Sequence, residues 1–379
     1  MGVVGTLTGT TTTDEAASLE RARALVLAYG RNATAYQTLN PGIHRWLAAD
    51  GDAFAGYVDY AGVRVVAGAP ICLPERLPCV TAELEQDAAS AGLEVCYFAA
   101  GERLEGILLQ RGHTARVLLG AQPVWRPAEL VATIRRRATL RAQLSRARNK
   151  GVQISQWAAP LDRLRRDQLA SVLEAWLATR GLPPLHFLVE PDTLSRLVGR
   201  RVFVATSPRG VVGFLIASPV PARRGWLVEQ LIRRPGAPNG TNESLLFAAA
   251  REMAMRDDAY ITLGLAPLST RAAVEAPPAP GWLRFALAWA RAHGRRFYNF
   301  DGLDAFKAKF FPERWEPIYA VTTAARISPR TLYAIAGAFS GGSPVRLIAH
   351  ALGRAAVREV GTGWRAIDRA HRRVLRTTR

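Results

Sequence analysis

The sequence predicts an α/β protein built from two similar halves. Short apolar runs alternate with amphipathic stretches along most of the 379 residues, and 49% of the chain is hydrophobic. The same order, a helix, a hairpin and then alternating strands and helices, occurs twice. The densest positive charge in the chain lies between the two occurrences.

In the first half, residues 15–29 follow a Thr/Gly-rich leader and read as an amphipathic helix closed by Gly30. The runs 54–60 and 63–69, joined at Ala61-Gly62, predict a hairpin of apolar strands. Helix is expected at 74–92, strand at 94–99, helix at 103–111 and strand at 116–121. In the second half a helix at 161–179 precedes strands 202–206 and 211–218, which flank a Ser207-Pro208-Arg209-Gly210 turn. Strand 226–232, helix 242–256, strand 260–265, helix 280–293 and strands 297–300 and 318–322 complete the pattern. This is the order expected of two N-acetyltransferase-like (GNAT) folds in tandem, with a basic linking helix and a basic amphipathic C-terminal helix. The expected divisions are 1–155, 156–325 and 326–379.

The charge balance narrows the function. Fifty Lys+Arg against 31 Asp+Glu leave +19, too much for a neutral scaffold and carried by too apolar a chain for a disordered tail. A polyanionic partner is implied, either nucleic acid or an anionic membrane. From Arg135 to Lys150 there are seven basic residues and no acidic one: Arg135, Arg136, Arg137, Arg141, Arg146, Arg148 and Lys150. Ile134, Leu140 and Leu144 give that stretch one packed stripe, so it reads as a helix whose other face meets phosphates. The segment 343–379 has nine arginines and two acids, with Trp364 and aliphatic residues between them. It reads as a helix lying on an anionic membrane surface, with Arg346, Trp364, Arg372 and Arg373 at the head groups. The alternative for both segments is a solvated or docked helix.

Several classes are excluded. Phosphate-binding GxxxxGK[ST], GxGxxG, HExxH and GxSxG motifs are all missing, and the six histidines lack zinc-ligand spacing, so neither a metal nor another cofactor is expected. Cys72, Cys79 and Cys96 are expected as buried free thiols. The first twenty residues lack a secretory signal, and the uncharged stretch 331–345 is too short to span a bilayer, so a cytoplasmic protein is expected.

Two groups of polar residues stand inside apolar sequence. The first runs from Glu229 and Gln230 through Arg233, Gly236, Pro238 and Asn239 to Asn242 and Glu243. A strand is expected to end at the arginines, with Thr241 or Asn242 capping a helix that carries Glu243 in its first turn, where free N–H groups can meet an anion. The second runs from Tyr298 and Asp301 to Lys307, Lys309 and Trp315. Only three of the 50 basic residues are lysines, and two of those lie here between aromatic residues. An ammonium there can stabilise a developing oxyanion, and Asp301 can position an amine or accept its proton.

The stretches Phe297-Tyr-Asn-Phe-Asp-Gly-Leu303, Phe306-Lys-Ala-Lys-Phe310 and Pro312-x-x-Trp315-Glu-Pro-x-Tyr319, together with Arg233-x-Pro-x-Ala-Pro-Asn-Gly240 and Leu263-Gly-Leu-Ala-Pro-Leu268, carry a resemblance. They resemble the cytosolic aminoacyltransferase domain of the phosphatidylglycerol lysyltransferases and alanyltransferases, the multiple peptide resistance factors. The likeness runs from about residue 20 to 325, and the Phe-Lys-x-x-Phe element is also similar to the Fem-type tRNA-dependent peptidyl transferases.

The resemblance implies transfer of an aminoacyl group from aminoacyl-tRNA to a lipid hydroxyl on the inner face of the cell membrane, which lowers the membrane's negative charge. It assigns Arg135 to Lys150 to the tRNA acceptor stem and the C-terminal segment to the bilayer. Asp301, Lys307, Arg233 and Glu243 are the expected catalytic residues, with Gln230, Asn239, Tyr298 and Lys309 binding substrate. Family members usually carry a multi-span flippase region ahead of this domain. None precedes it here, so no lipid flipping is expected. Two alternatives stay open: an acyl-CoA-dependent N-acyltransferase, against which Pro238 removes a phosphate-binding N–H, and a non-catalytic protein that binds tRNA or membrane.

Overall fold

The computed structural model describes residues 10–179, 186–190, 193–274, 280–283, 285 and 300–341. Most of the helix expected at 280–293, and the whole segment 343–379, lie outside the described residues. Of the strand expected at 297–300 only Phe300 is described, and it opens a helix instead.

The first half contains α1 (Thr10–Tyr29), β1 (His44–Leu47), β2 (Phe54–Tyr60), β3 (Val63–Ala67), α2 (Leu77–Ser90), β4 (Glu94–Gly101), α3 (Glu102–Gln110) and β5 (Arg116–Trp125). Two helices follow, α4 (Pro127–Arg136) and α5 (Ala138–Asn149). The second half contains β6 (Gln153–Trp157), α6 (Arg163–Leu177), β7 (Arg201–Ser207), β8 (Gly210–Val220), β9 (Gly225–Arg233), α7 (Thr241–Ala254), β10 (Tyr260–Thr262) and the short β11 (Ala266–Pro267). Helix α8 (Phe300–Ala308), strand β12 (Arg314–Thr322) and helix α9 (Pro329–Ser340) complete the described chain. The fold is the tandem N-acetyltransferase-like α/β architecture that the order of elements implied.

Among the described residues all twelve strands join one sheet, in the order β1-β2-β3-β4-β12-β5-β10-β9-β8-β7-β6, with β11 against β5. Each half is antiparallel up to one parallel pair, β3 with β4 and β9 with β10. The seam exchanges strands. β12 from the second half pairs with β4 of the first, and β5 from the first half pairs with β10 of the second. Each half therefore completes the other's sheet, and β5 and β12 pair along eight residues between them.

Helices cover both faces, which is why the inner strands read as continuous apolar runs rather than alternating ones. Along β7 and β8, Val202, Val204, Phe214 and Ile216 pack under α6 beside Leu169 and Val172. Their alternates Phe203, Ala205, Leu215 and Ala217 pack under α4, α5 and α7 with Ile134, Leu140, Leu245 and Met253. In the first half α2 and α3 cover one face through Leu84, Leu104 and Leu108, and α9 covers the other through Ala334 and Ala338.

Three local expectations need correction. The basic linking helix is two helices, because Arg137 is extended (φ −81°, ψ 116°) and breaks the run. Arg141 Nη1 then donates to the carbonyls of Arg135 and Arg136 at 2.9 and 2.7 Å, satisfying the open end of α4. The N-cap of α7 is Gly240, at φ +91°, and not Thr241 or Asn242. A Cβ on Gly240 would stand 2.0 Å from the carbonyl oxygen of Gln143, so only glycine lets this turn approach α5. Finally, Cys72 and Cys96 are buried, but Cys79 is exposed on α2.

Candidate active site

The two parallel strand pairs shape the site. Pairing of β9 with β10 ends at Leu227 and Thr262, after which residues 228–233 and 263–265 diverge. Pairing of β3 with β4 ends at Ala67 and Phe98, after which residues 69–72 and 99–104 diverge. Both splays open into the same cavity, of about 1240 Å³, whose walls come from both halves and from α8. The exchanged strands contribute Gln122 and Glu316 to its floor. A parallel pair that separates leaves backbone and side chains free to face a ligand, which is where open α/β sheets bind theirs.

Lys307 lines this cavity from the last turn of α8 and is only 4% exposed. Its ammonium donates to the carbonyls of Gly264 at 2.8 Å and Leu265 at 2.7 Å, in the stretch that follows β10. Burial pushes its pKa down to about 7, against an opposing pull from Asp304. Asp304 is itself held by Ser269 Oγ at 2.6 Å and Arg271 Nε at 2.7 Å, so its charge is shared. Lys307 is therefore a buried amine that exchanges its proton near neutral pH, fixed by two hydrogen bonds and with one nitrogen position left for the cavity.

The β9 part of the lining carries Glu229, Gln230 and Arg233. Glu229 and Arg200 form an ion pair at 2.9 Å in which each side chain is 3% exposed. Ser218 Oγ donates to the same carboxylate, Gln37 Nε2 approaches it at 3.4 Å, and Arg200 Nη2 donates to Asn40 Oδ1 at 2.9 Å. Gln37 and Asn40 belong to the first half, so this network joins the halves beneath the cavity. On the floor, burial works to raise the pKa of Glu316, but Arg223 and Arg314 hold it below the usual carboxylate range. Its closest contacts to Arg223 are 2.5 and 2.8 Å.

Of the expected residues, the structure brings Lys307, Arg233 and Gln230 to one cavity. Arg233 Nη1 also donates to the carbonyl of Ala237 at 3.1 Å, which closes the turn before α7. Asp301 lies in the first turn of α8, beside wall residues Phe300 and Gly302 without being one itself. Glu243 and Lys309 lie off the walls and pair with each other at 2.6 Å. Asn239 is exposed in the turn before α7. Tyr298 lies outside the described residues, as do Arg346, Trp364, Arg372 and Arg373.

Arg135, Arg136, Arg137, Arg141, Arg146, Arg148 and Lys150 are all exposed on α4, α5 and the turns at their ends. They are not wholly unopposed, since Arg136 stands 3.9 Å from Glu129. Glu229 and Asn242, which the sequence placed in its first polar group without a site role, also line the cavity, as does Glu316; Asn242 Oδ1 is buried without a hydrogen-bond partner. A glutamate inside an apolar strand was the available signal for Glu229. Among the described residues no group of three His, Cys, Asp or Glu is placed to hold a metal, and no helix is long and apolar enough to cross a membrane.

Residues 23–322 match the family model described as phosphatidylglycerol lysyltransferase, C-terminal. Among solved structures, the C-terminal domain of a protein described as a lysylphosphatidylglycerol synthetase from Agrobacterium fabrum is 22% identical, with a TM-score of 0.72. The match covers 86% of this chain and 98% of that one. L-PGS from Bacillus licheniformis is 20% identical with a TM-score of 0.70, covering 88% of this chain and 95% of that one. A conserved protein from Bacteroides thetaiotaomicron is 12% identical with a TM-score of 0.54, over 80% and 96%. Comparison with curated proteins returns no match.

Proposed function

Because this chain belongs to the phosphatidylglycerol lysyltransferase C-terminal family, we propose that it moves an aminoacyl group from aminoacyl-tRNA to the hydroxyl of a phosphatidylglycerol-like lipid. The work is done at the cytoplasmic face of the membrane. Lipid aminoacylation is the family's activity; the donor, the acceptor and the residue roles are our reading.

In this reading the lipid hydroxyl oxygen attacks the carbonyl carbon of the aminoacyl ester. A tetrahedral oxyanion forms, and collapse breaks the bond from that carbon to the ribose oxygen. One proton leaves the lipid hydroxyl and one is taken up by the ribose oxygen, so a single group that accepts and returns a proton balances the reaction. The donor ester is already activated, so positioning and proton transfer supply most of what is needed.

Lys307 is the observation that carries this. A neutral amine on the cavity lining accepts a proton from the attacking hydroxyl. Its protonated form then faces the oxyanion and returns the proton to the departing ribose oxygen. Two N–H groups held by the carbonyls of Gly264 and Leu265 fix the remaining nitrogen position. Arg233 and Gln230, which line the same cavity, suit the phosphate and ester oxygens of the substrates, and Asp301 at the start of α8 suits the amino group.

The exposed basic residues of α4 and α5 supply the charge for RNA. The arginine-rich segment 343–379 supplies charge and Trp364 for the anionic bilayer. The test is lipid aminoacylation by purified protein with charged tRNA and phosphatidylglycerol vesicles. Product is expected with intact RNA and lost after ribonuclease treatment; undiminished product after that treatment overturns the donor.

A further inference from the structure

The turn that follows the Lys307 helix holds an aromatic ring in an unusual setting. Phe311 has φ +51°, in the left-handed region that bulky side chains rarely occupy, and it is 48% exposed. Its neighbour Phe310 is fully buried, and the carbonyl of Phe310 accepts a hydrogen bond from Trp125 Nε1 at 3.0 Å. The turn is thus anchored at one aromatic residue and twisted so that the next one leaves the core. Burial alone favours the reverse for a phenylalanine.

The ring is nevertheless held in place. The guanidinium of Arg137 stands 3.8 Å from its centroid, a close cation–π contact. Arg137 is the extended residue between α4 and α5, and Arg141 braces that elbow through the carbonyls of Arg135 and Arg136. The elbow therefore presents a positioned ring beside Arg135, Arg136, Arg137 and Arg141, all exposed. Glu129 and Glu313 are the acidic residues that reach this surface, Glu129 at 3.9 Å from Arg136 and Glu313 at 3.3 Å from Arg126.

The ring's own turn also packs against a wall of the site, since Phe306 and Phe310 meet ring to ring at 5.4 Å. Two residues before Phe311, Lys309 lies 4.0 Å over the ring of Phe306, and Phe306 lines the Lys307 cavity. A partner held at Phe311 is therefore near a wall of the cavity.

We infer that Phe311 and Arg137 form a stacking platform for one unpaired base of a single-stranded nucleic acid, the base-bearing end of the donor RNA. The inference rests on the tRNA-donor reading above and adds where that RNA changes from duplex to single strand. A duplex hides its base faces, whereas an ester at an RNA terminus enters a cavity only if the terminus is unpaired. Every base offers a π-face to an aromatic ring or to a guanidinium plane; with Arg137 over one face of the Phe311 ring, the base stacks on the other face or on the guanidinium itself. The long stretch of basic surface on α5 suits the duplex backbone behind it.

The experiment uses the full chain and two RNA hairpins of identical duplex, one blunt and one with an unpaired 3′ end, with binding followed by fluorescence anisotropy. Wild type is expected to prefer the tailed hairpin by about tenfold, in the range of one base–aromatic stack. Phe311→Ala is expected to bind both hairpins alike at the blunt-hairpin affinity, and Phe311→Tyr to restore the preference. Arg137→Gln, which leaves the turn's sequence intact, is expected to lower the preference as well and serves where Phe311→Ala does not fold. If wild type binds both hairpins equally, or Phe311→Ala keeps the preference, the platform is wrong and the donor reading stands. If wild type binds neither hairpin, the donor reading itself falls. Should Phe311→Ala instead lose binding to phosphatidylglycerol vesicles with its hairpin preference unchanged, the ring belongs to the membrane and the inference is overturned.

Discussion

Lys309 Nζ lies 2.6 Å from Glu243 Oε1 and ties the end of α8 to the first turn of α7, while Lys307, two residues earlier, faces the cavity. Residues two apart on a helical turn point to opposite sides, so neighbouring lysines do different work. Lys309→Met removes an ion pair that is 33% and 10% exposed and leaves Glu243 near the favourable end of a helix dipole. The variant is expected to lose about 1–2 kcal/mol of stability in urea denaturation, with its rate per folded molecule within about threefold of wild type. A collapse in rate with unchanged stability places Lys309 in the chemistry.

Lys307→Met keeps the length and apolar stem of the side chain and removes the amine. Loss of a general acid–base group lowers turnover by about 100-fold or more, while affinity for the RNA hairpins stays within about twofold because Lys307 is buried on the cavity lining, away from the exposed basic surface of α4 and α5. With the Lys307 pKa near 7, the wild-type rate is expected to rise with pH through about 7 and level off above it, as the neutral amine becomes the dominant form. A pH-independent rate between 6 and 8 argues that the lysine serves only as a fixed cation.

The same amine leaves a mark on stability. In the unfolded chain it holds its proton to about 10.5, while in the folded chain it releases it near 7. Between those values the unfolded state binds more protons, so raising the pH stabilises the fold through this group; below about 7 both states are protonated and the slope vanishes. Lys307→Met lacks the term. The stability difference, wild type minus variant, is therefore expected to be flat below about pH 7 and to increase from there towards pH 10. Taking the difference removes the contribution of buried tyrosines such as Tyr260, whose pKa burial pushes up. A difference that stays constant over the whole range means that Lys307 is not desolvated in solution.

Much of this architecture was legible because both faces of the sheet are covered. A strand such as β8 then reads as an uninterrupted apolar run, and β2 and β3 announce themselves by the Ala61-Gly62 turn. The exchange at the seam was not legible. Pro317 pairs with Ala121 across about half of the chain, and no local signal distinguishes a strand that completes its own half from one that completes the other. The break at Arg137 was hidden for a different reason, since arginine is a good helix former and a charge run shows no stop. At the site, the rarity of lysine pointed to Lys307 and Lys309 alike, and only the packing separates them. Glu229 was visible as an acid in an apolar strand, but its meaning depends on Arg200, Gln37 and Asn40, which are distant in sequence.

The Arg200–Glu229 pair is expected to behave as a buried unit. Removing either partner leaves a charge at 3% exposure without its counterion. Glu229→Ala or Arg200→Met alone is expected to cost about 3–5 kcal/mol, and the double variant distinctly less than the sum. The cycle is read by denaturant unfolding. Additive single effects show that the two charges are each satisfied by other neighbours, such as Ser218 and Asn40.

The basic surface divides into residues with local structural work and residues without it. Arg141 braces the elbow and Arg137 lies over Phe311, whereas Arg146, Arg148 and Lys150 are exposed at the end of α5. Replacing those three by Gln removes positive charge from the C-terminal end of a helix, at a cost of about 1 kcal/mol or less. If each meets a phosphate, three condensed counterions are no longer released on binding. The slope of log K against log salt for the blunt hairpin is then expected to be shallower by about 2–3 units, with affinity reduced most at low salt. Because the loss is electrostatic, the preference for the tailed hairpin is expected to survive in this variant, which separates the phosphate track from the Phe311 platform. An unchanged salt slope shows that the RNA duplex lies elsewhere, and that the positive charge at the end of α5 serves another surface.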